Sequence, residues 1–215
     1  MYQTAINILK KIEKLGYNGY IIGGYPRDIY LGITNSDIDI CSNIKENILK
    51  ENFNVIKSTK FGSFIILENN YNYEITLFRN EIYKDSRYPI INYVDTLEED
   101  LKRRDFTINT LCIDYNGNYV DLIGARKDID NKIIKVVGDI NQKIKEDPLR
   151  IIRALRFSSD LNFNIEINLK NYIINNKELL NTLTKSRINK EIKKVKNKTN
   201  FYNLIKMLDL ENYIK

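Results

Sequence analysis

Residues 21–40, with the sequence IIGGYPRDIYLGITNSDIDI, contain a glycine pair, an Arg–Asp pair and two aspartates one residue apart. The apolar residues before the glycines predict a short strand that enters a tight turn, and the residues after them predict a short helix that ends at Gly32. Asp37 and Asp39 alternate with isoleucines, as in a half-buried strand, so both should project from one face of a sheet. Two such carboxylates repel each other unless they share a cation. The stretch therefore predicts a metal site, although the solvent-facing side of an edge strand would show the same alternation.

The absence of histidine limits the chemistry that the chain can carry out. It excludes acid–base catalysis by histidine, a catalytic triad that uses histidine, and metal sites with imidazole ligands. A metal ion would be held by carboxylates, which favour Mg²⁺, with Mn²⁺ as the alternative. The 34 Lys and Arg residues outnumber the 28 Asp and Glu residues, and the resulting net charge of +6 suits a polyanionic partner.

The apolar segments and the cysteines indicate a cytoplasmic protein. No apolar run approaches the roughly 20 residues that span a bilayer, so no membrane partner is expected. The N-terminal segment has the pattern of an amphipathic helix and lacks a signal-peptide cleavage site. Cys41 and Cys112 have a spacing that predicts neither a disulfide framework nor a zinc site.

The order of the predicted elements indicates an α+β fold, in which a mixed sheet flanked by helices is followed by an all-helical region. We predict a catalytic head over residues 1–138 and a helical neck over residues 139–215, because strand patterns occur in the first region only. Residues 79–97 have weak periodicity and predict a long mobile loop. A hairpin is predicted with Asn116 and Gly117 at its turn.

Two further features strengthen the interpretation as a metal and phosphate site. Gly23 and Gly24 lead directly into a predicted helix start, where free backbone N–H groups attract phosphate, and Arg27 lies in the first turn of that helix. Glu74, in the strand-like segment YEITLF, would supply a third carboxylate if its strand neighbours that of Asp39. For the glycines taken alone, a structural turn beside a surface Arg–Asp pair remains the alternative.

Five segments together resemble the motifs of one enzyme family. They are GGYPRDIYLGITNSDIDI (23–40), EEDLKRRDFTINTL (98–111), VDLIGARKDIDNKII (120–134), EDPLRIIRALRF (146–157) and SRINKEIKKV (186–195). In type and order they are similar to the motifs of the class II tRNA nucleotidyltransferase and poly(A) polymerase family. Pro26 replaces the usual Val, and Thr110 replaces the usual Ala, and both changes are mild. The resemblance implies a nucleotidyltransferase head of the polymerase-beta-like type.

The resemblance also implies a role for each matching residue. The catalytic carboxylates would be Asp37, Asp39 and Glu74, of which Asp37 and Asp39 would hold the metal. The nucleotide-binding residues, ordered from triphosphate through ribose to base, would be Gly23, Gly24, Arg27, Arg104, Asp105, Asp147, Arg150, Arg153 and Arg156. An aspartate that accepts hydrogen bonds from both ribose hydroxyls would favour ribonucleotides, because a deoxy sugar leaves it one partner short.

Asp147 and Arg150 have the chemistry to select bases without a template. They are three residues apart and would share one face of a helix. An Asp acceptor beside an Arg donor complements N4 and N3 of cytosine, and N6 and N1 of adenine. Uracil and guanine present the reversed pattern and would leave buried polar groups unpaired, at a cost of ~1–3 kcal/mol each. The alternative is local, with Asp147 capping a helix whose first residue is Pro148.

Together these residues predict template-independent addition of C and A nucleotides (CCA) to the 3′ end of tRNA from CTP and ATP, with release of pyrophosphate. A Tyr83-x-Asp85-x-Arg87 pattern resembles the family members that add all three nucleotides. A poly(A) polymerase, or an enzyme that adds only CC or A, is the alternative, and a catalytically silent RNA-binding module is a further one. The chain stops soon after the neck motif, whereas family members continue with body and tail domains that grip the tRNA. Either the basic surface of the chain suffices, a homo-oligomer or a partner chain supplies the rest, or the chain is a fragment or a compact form.

Overall fold

The computed structural model describes residues 1–59, 61–83 and 89–214. These residues form two compact units. The first unit consists of Met1–Arg104 and Asn109–Arg126, and the second consists of Asp105–Ile108 and the chain from Lys127 onward. The sequence predicts a division at residue 138, whereas in the structure the last change between units falls at Lys127.

The helices of the first unit are α1 (Tyr2–Lys14), α2 (Gly24–Tyr30), α3 (Glu46–Asn52) and α4 (Leu97–Lys102). Its strands are β1 (Gly19–Ile22), β2 (Asp39–Ser42), β3 (Val55–Ser58), β4 (Ser63–Glu68), β5 (Tyr71–Leu77), β6 (Arg79–Ile82), β7 (Ile90–Tyr93), β8 (Cys112–Ile113) and β9 (Tyr119–Val120). Helix α5 (Ala125–Asp130) begins in the first unit and ends in the second.

Seven of these strands form one sheet in the order β3-β4-β5-β2-β1-β8-β9. Strands β2 and β5 run parallel, whereas the pairs on either side of them are antiparallel. Across the centre, Ile22 of β1 pairs with Asp39 of β2, and Asp39 pairs with Glu74 of β5. The prediction that Glu74 lies on a strand next to that of Asp39 is therefore confirmed.

The two faces of this sheet pack against different helices. One face carries buried isoleucines, among them Ile40 and Ile75, in a core shared with α1 and α3. The other face carries a separate cluster that includes Leu101 of α4. Asp39 and Glu74 directly precede Ile40 and Ile75, so the alternation of a strand turns both carboxylates to the face that carries α4. This arrangement fixes where the site can form.

The β6–β7 ribbon replaces the long loop predicted over residues 79–97. Arg79–Ile82 and Ile90–Tyr93 pair antiparallel in a separate sheet of two strands. The loop prediction was wrong because no residue of these two strands is fully buried, and an exposed ribbon shows little alternation of apolar and polar residues. Asp85 and Arg87 of the predicted motif lie outside the described residues.

The predicted turns of the first unit agree with the structure. Strands β8 and β9 pair antiparallel around Asn116 and Gly117, and the φ of Gly117 is +83°. The predicted end of α2 at Gly32 is also found, because the helix stops at Tyr30 and Gly32 has a φ of +73°. Both glycines adopt a backbone conformation that other residues rarely adopt. The two turns could therefore be predicted from the sequence.

The second unit is mainly helical, with α6 (Ile140–Glu146), α7 (Leu149–Leu161), α8 (Ile167–Asn175), α9 (Lys185–Ile192) and α10 (Lys198–Met207). Helix α7 contacts α6, α9 and α10 and buries Ile151, Ile152 and Leu155. The prediction of an all-helical region needs one correction, because β10 (Ile133–Ile134) and β11 (Asn164–Ile165) form a parallel pair. Among the helices of the described ranges, none has both the length and the apolar character needed to cross a membrane.

Asn70→Ala should lower the free energy of unfolding of the first unit by about 1 kcal/mol. Asn69 and Asn70 join β4 to β5 with φ values of 50° and 64°, a left-handed conformation that asparagine tolerates better than alanine. Urea unfolding followed by circular dichroism measures the loss. Asn70→Gly is the matched control because glycine adopts this conformation freely. Equal destabilisation by both substitutions would contradict the backbone explanation.

Candidate active site

A cavity of about 200 Å³ lies in the first unit, beside the paired carboxylates of β2 and β5. Its walls carry two carboxylates, three arginines and two hydroxyl side chains, which are Asp39, Glu74, Arg79, Arg103, Arg104, Ser63 and Thr76. The sequence singled out only Asp39, Glu74 and Arg104 of this set. The other four come from β4, β5, β6 and the end of α4, and no local pattern connects those segments.

Two carboxylates are paired across β2 and β5, and a third lies just before β2 in the chain. Asp39 and Glu74 are opposite each other in the parallel pair. Asp37 is exposed and lies before the strand, where its backbone N–H donates to Oδ1 of Asn35 at 2.8 Å. The predicted strand is therefore shorter than its alternating pattern suggested, because the Asn35 side chain holds Asp37 in the preceding loop. Both Asp37 and Glu74 nevertheless act electrostatically on Asp39.

Asp39 is the most perturbed carboxyl of this group. Burial, followed by the negative charges of Asp37 and Glu74, raises the pKa of Asp39 from 3.8 to about 6. The positive charge of Arg104 lowers the pKa of Asp39, but by less than the other effects raise it. Near neutral pH an ionised Asp39 therefore lies in surroundings that disfavour its charge, and a cation bound between the carboxylates would relieve that repulsion.

The ligand atoms at this position fit a hard divalent cation. They are carboxylate oxygens, which Mg²⁺ and Mn²⁺ prefer, and the negative charges of Asp37 and Glu74 add to burial in raising the pKa of Asp39. Within the ranges that the structure describes, no three or more His, Cys, Asp or Glu side chains form a group that could hold a metal ion. Asp37 and Asp39 would therefore supply part of a coordination shell that water or a phosphate ligand completes.

The glycine turn lies directly against Asp39. Gly23 has a φ of +87°, and a Cβ added there would come within 3.4 Å of Oδ2 of Asp39. A side chain at this position would combine backbone strain with a close approach to the carboxylate. Gly24 begins α2, and a Cβ added there would lie 3.4 Å from Nη2 of Arg27. The glycines thus keep the space beside Asp39 free of side chains.

Arg27 is buried, with an exposed fraction of 6%. Its guanidinium lies 2.6 Å from Oδ1 of Asp28 through Nη2, and it donates to Oδ1 of Asn109 through Nη1. Nδ2 of Asn35 donates to the other oxygen of Asp28 at 2.7 Å. This network ties the glycine turn to the loop that carries Asp37. The predicted contact of Arg27 with phosphate stays a prediction.

Two carboxylates connect the arginines of the cavity. Asp100, which is completely buried, accepts hydrogen bonds from Nε of Arg103 at 2.9 Å and from Nη2 of Arg104 at 2.8 Å. Glu81 accepts from Nη2 of Arg79 at 2.9 Å and lies 3.5 Å from Nη1 of Arg103. Burial alone would raise the pKa of Glu81, but Arg103 and Arg79 hold it below its ordinary value. Asp100 and Glu81 thus hold the three arginines in place within the first unit.

In the second unit, the predicted nucleotide-binding arginines are also paired with carboxylates. Arg153 donates to Oδ2 of Asp105 through Nε at 2.7 Å and through Nη2. Arg156 donates through Nε to Oε1 of Glu191 at 2.6 Å, and Glu191 has an exposed fraction of only 3%. The sequence placed Glu191 in the neck motif without giving it a role. Its role in the structure is to balance the charge of the arginine-rich helix α7.

Asp147 caps a helix and keeps one oxygen for another partner. It lies just before α7, so it does not share a helix face with Arg150 as the sequence suggested. Its Oδ1 accepts from the backbone N–H of Leu149 at 3.1 Å and from Nη2 of Arg187 at 2.9 Å. Its Oδ2 accepts no hydrogen bond from any residue in the described part of the chain. Capping and base recognition, which the sequence left as alternatives, can therefore use different oxygens of one carboxylate.

Arg150 is buried at the junction of α6 and α7, with an exposed fraction of 6%. Its Nη1 donates to the carbonyl oxygen of Lys143 and to Oε2 of Glu146 at 3.2 Å. Both acceptors belong to α6, so Arg150 holds the two helices together. Its predicted contact with a base stays a prediction.

Comparison with known proteins places these motifs in a family. Residues 19–135 match the family model described as "Poly A polymerase head domain". The chain is 39% identical to the CCA-adding enzyme of Ligilactobacillus salivarius, over 99% of this chain and 54% of that protein. A crystal structure of the Bacillus stearothermophilus CCA-adding enzyme in complex with CTP aligns with a TM-score of 0.91 and 30% identity, over 99% of this chain and 53% of that one.

A Thermotoga maritima CCA-adding enzyme complexed with tRNA aligns with a TM-score of 0.80 and 25% identity, over 97% of this chain and 51% of that one. The chain therefore spans about half the length of the relatives that it matches. The fold of these neighbours agrees with the predicted α+β head that a helical region follows.

Asp39→Asn should raise the free energy of unfolding of the metal-free protein by roughly 1–3 kcal/mol at about pH 8, with little effect at about pH 3.5. A carboxyl whose pKa is raised to about 6 by folding stabilises the folded state while it is protonated. That contribution is lost as the pH rises through the folded-state pKa, and asparagine removes the ionisation that causes the loss.

Urea unfolding in the presence of EDTA, at both pH values, measures this difference. Asp95→Asn, at an exposed position outside the cavity, is the matched control. A stabilisation by Asp39→Asn that is equal at both pH values would be incompatible with a raised pKa.

Proposed function

The chain belongs to the family of the poly A polymerase head domain, and on this premise we propose that it adds C and A nucleotides to the 3′ end of tRNA from CTP and ATP. The observation that carries the proposal is the register that pairs Asp39 with Glu74, next to the turn at Gly23. The names of the relatives support the same substrates, because they are CCA-adding enzymes, one of them in complex with CTP and another complexed with tRNA.

In the proposed reaction, the 3′-hydroxyl oxygen of the RNA attacks the α-phosphorus of the incoming nucleotide. A bond forms between this oxygen and the phosphorus, and the bond from the phosphorus to the oxygen that bridges to the β-phosphate breaks. Pyrophosphate leaves with that electron pair. We assign the hydroxyl proton to Glu74, because this carboxylate is exposed and lies opposite Asp39.

Asp37 and Asp39 would hold a divalent cation, Mg²⁺ or Mn²⁺. When bound, such a cation neutralises the triphosphate and makes the attacking hydroxyl more acidic. The electrostatics of Asp39 support this assignment, because burial and the negative charges of Asp37 and Glu74 raise its pKa although Arg104 lowers it. Gly23 and Gly24 would leave the backbone accessible to the triphosphate, with Arg27 holding their turn in shape.

The ribose would contact Arg104 and Asp105. Asp105 accepts hydrogen bonds from Arg153, so a bound ribose would share this carboxylate with that guanidinium or displace it. A carboxylate that accepts from both ribose hydroxyls selects ribonucleotides, since a deoxy sugar leaves one acceptor unpaired. The hydrogen bonds from Arg153 hold the carboxylate of Asp105 in one orientation for this contact.

The base would be selected by Asp147 and Arg150, with Arg153 and Arg156 of the same helix next to it. Oδ2 of Asp147 would accept from N4 of cytosine or N6 of adenine, while Oδ1 keeps its bonds to Leu149 and Arg187. Discrimination of this kind depends on rejecting bases that leave buried polar groups unpaired.

The second candidate is a poly(A) polymerase, which the description of the matching family model favours. Incubation with transcripts of tRNA that lack CCA, with CTP, ATP and Mg²⁺, separates the two. We expect three added residues that end in A, whereas a poly(A) polymerase would make an open-ended A tract from ATP alone.

Asp39→Ala should abolish incorporation of labelled CMP and AMP, because it removes a metal ligand, and should leave nucleotide binding partly intact. Gel electrophoresis of the extended RNA measures incorporation, and fluorescence of a labelled nucleotide measures binding. Asp95→Asn is the control that should retain activity. Full activity of the Asp39→Ala protein would refute the catalytic assignment.

Asp147→Asn should increase incorporation of UMP relative to CMP by about tenfold. The carboxamide keeps an oxygen for the cap of α7 and replaces the second acceptor with a donor, which suits O4 of uracil rather than N4 of cytosine. Ratios of kcat/KM for CTP and UTP measure the shift. Glu178→Ala, at an exposed position of the same unit, is the control, and an unchanged ratio in the Asp147→Asn protein would remove this residue from base selection.

A further inference from the structure

We propose that Asp100 determines how strictly the first unit selects ribonucleotides. It would act through Arg104, by holding the guanidinium so that one nitrogen stays in place for the ribose of the incoming nucleotide. Asp100 would not touch the substrate, so it is a positioning residue and not a catalytic one. This inference rests on the function proposed above and adds the residue on which the sugar contact depends.

The carboxylate of Asp100 is enclosed by the first unit and bound on both of its oxygens. It lies on α4, and its side chain has an exposed fraction of 0%. Its Oδ1 accepts from Nε of Arg103 at 2.9 Å and from the backbone N–H of Arg79 at 3.2 Å, and its Oδ2 accepts from Arg104. A buried carboxylate with donors on both oxygens cannot turn without leaving some of them unpaired. Asp100 is therefore fixed in one orientation before a substrate binds.

Only one edge of the Arg104 guanidinium is bound to Asp100. Nε and Nη2 donate to Oδ2 of Asp100 at 3.2 Å and 2.8 Å. Nη1 donates to no residue in the part of the chain that the structure describes, although Arg104 lines the cavity beside Asp39 and Glu74. Because a guanidinium is planar, fixing one edge also fixes the position of the remaining nitrogen. Asp100 thus determines where Nη1 lies, and Nη1 is left for a ligand.

A donor that is held in place can distinguish ribose from deoxyribose. The oxygen of a ribose 2′-hydroxyl accepts from such a donor, whereas a deoxy sugar has no oxygen there and leaves the donor unpaired. A mobile arginine would turn to water instead, and the deoxy sugar would then cost less. Selection therefore depends on how firmly the guanidinium of Arg104 is held, and the carboxylate that holds it is Asp100.

The test compares CTP with dCTP as substrates of the full chain, with a tRNA minihelix that lacks CCA as the acceptor. The ratio of kcat/KM for CTP to that for dCTP, for the first added nucleotide, measures sugar selection. Both values come from one preparation, so the folded fraction of the protein cancels. Asp100→Asn should lower this ratio about fivefold, as expected for the loss of one hydrogen bond. Glu98→Gln, at an exposed position of the same helix, is the matched control and should keep the wild-type ratio.

A double-mutant cycle distinguishes positioning through Arg104 from general damage to the fold. Arg104→Gln should lower the ratio by itself. Adding Asp100→Asn to Arg104→Gln should lower the ratio no further, because the side chain through which Asp100 acts is already absent. General damage to the fold would instead lower kcat/KM for both nucleotides by the same factor and leave the ratio unchanged.

Two further measurements apply if Asp100→Asn does not fold. Asp100→Glu keeps the charge but is longer by one methylene, which displaces the guanidinium of Arg104, and it should also lower the ratio. The second measurement needs no variant of Asp100. In the wild-type protein labelled with ¹⁵N-arginine, NMR should show that the Nε–H of Arg104 exchanges slowly with solvent in the absence of nucleotide. Exchange as fast as that of an exposed arginine would overturn the inference.

The outcomes separate this inference from the proposed function. If the wild-type protein incorporates no CMP, the proposed function is overturned. If it incorporates CMP but uses dCTP equally well, the function stands and the inference is wrong. An unchanged ratio in a folded Asp100→Asn protein, or a further fall of the ratio in the double variant, would also overturn the inference.

Discussion

The parallel pairing of β2 with β5 places two carboxylates side by side on one face of the sheet. Asp39 and Glu74 are held in this register by backbone hydrogen bonds and by the isoleucines next to them, which are buried on the opposite face. The fold therefore brings two like charges together, and burial together with the charges of Asp37 and Glu74 raises the pKa of Asp39. A site of this kind lowers the stability of the protein in exchange for affinity for a cation.

Around these carboxylates, and again in the second unit, the arginines are ordered before any ligand arrives. Asp100 holds Arg103 and Arg104 in the first unit, and Glu191 holds Arg156 in the second. Long, flexible side chains lose rotamer freedom when they bind an anion, and an arginine that is already fixed by an ion pair has lost it beforehand. The carboxylates of these networks thus fix the arginine side chains in place, which lowers the entropy cost of binding a polyanion.

Local chemistry made part of this structure predictable. The turns at Gly23 and Gly32 were predictable because few other residues adopt a positive φ. The alternation of residues in YEITLF correctly predicted a strand that carries Glu74 next to Asp39. The sequence failed where partners come from distant segments. Glu81 and Asp100 have no pattern that links them to Arg79 or Arg103, and the ribbon that carries Arg79 buries too little to show periodicity. The sequence also did not indicate that the guanidinium groups of Arg27 and Arg150 are paired within the protein; the predicted contacts of both residues with the nucleotide stay predictions.

The path of the chain between the two units has a consequence for their independence. Residues 105–108 belong to the second unit, although the chain on both sides of them belongs to the first. Phe106 forms a β-bridge with Val136 and an edge-on ring contact with Phe157, and Asp105 binds Arg153. A piece that starts at Lys127 would lack these residues. A single cut in the chain therefore cannot release an intact second unit, because residues 105–108 would stay with the first.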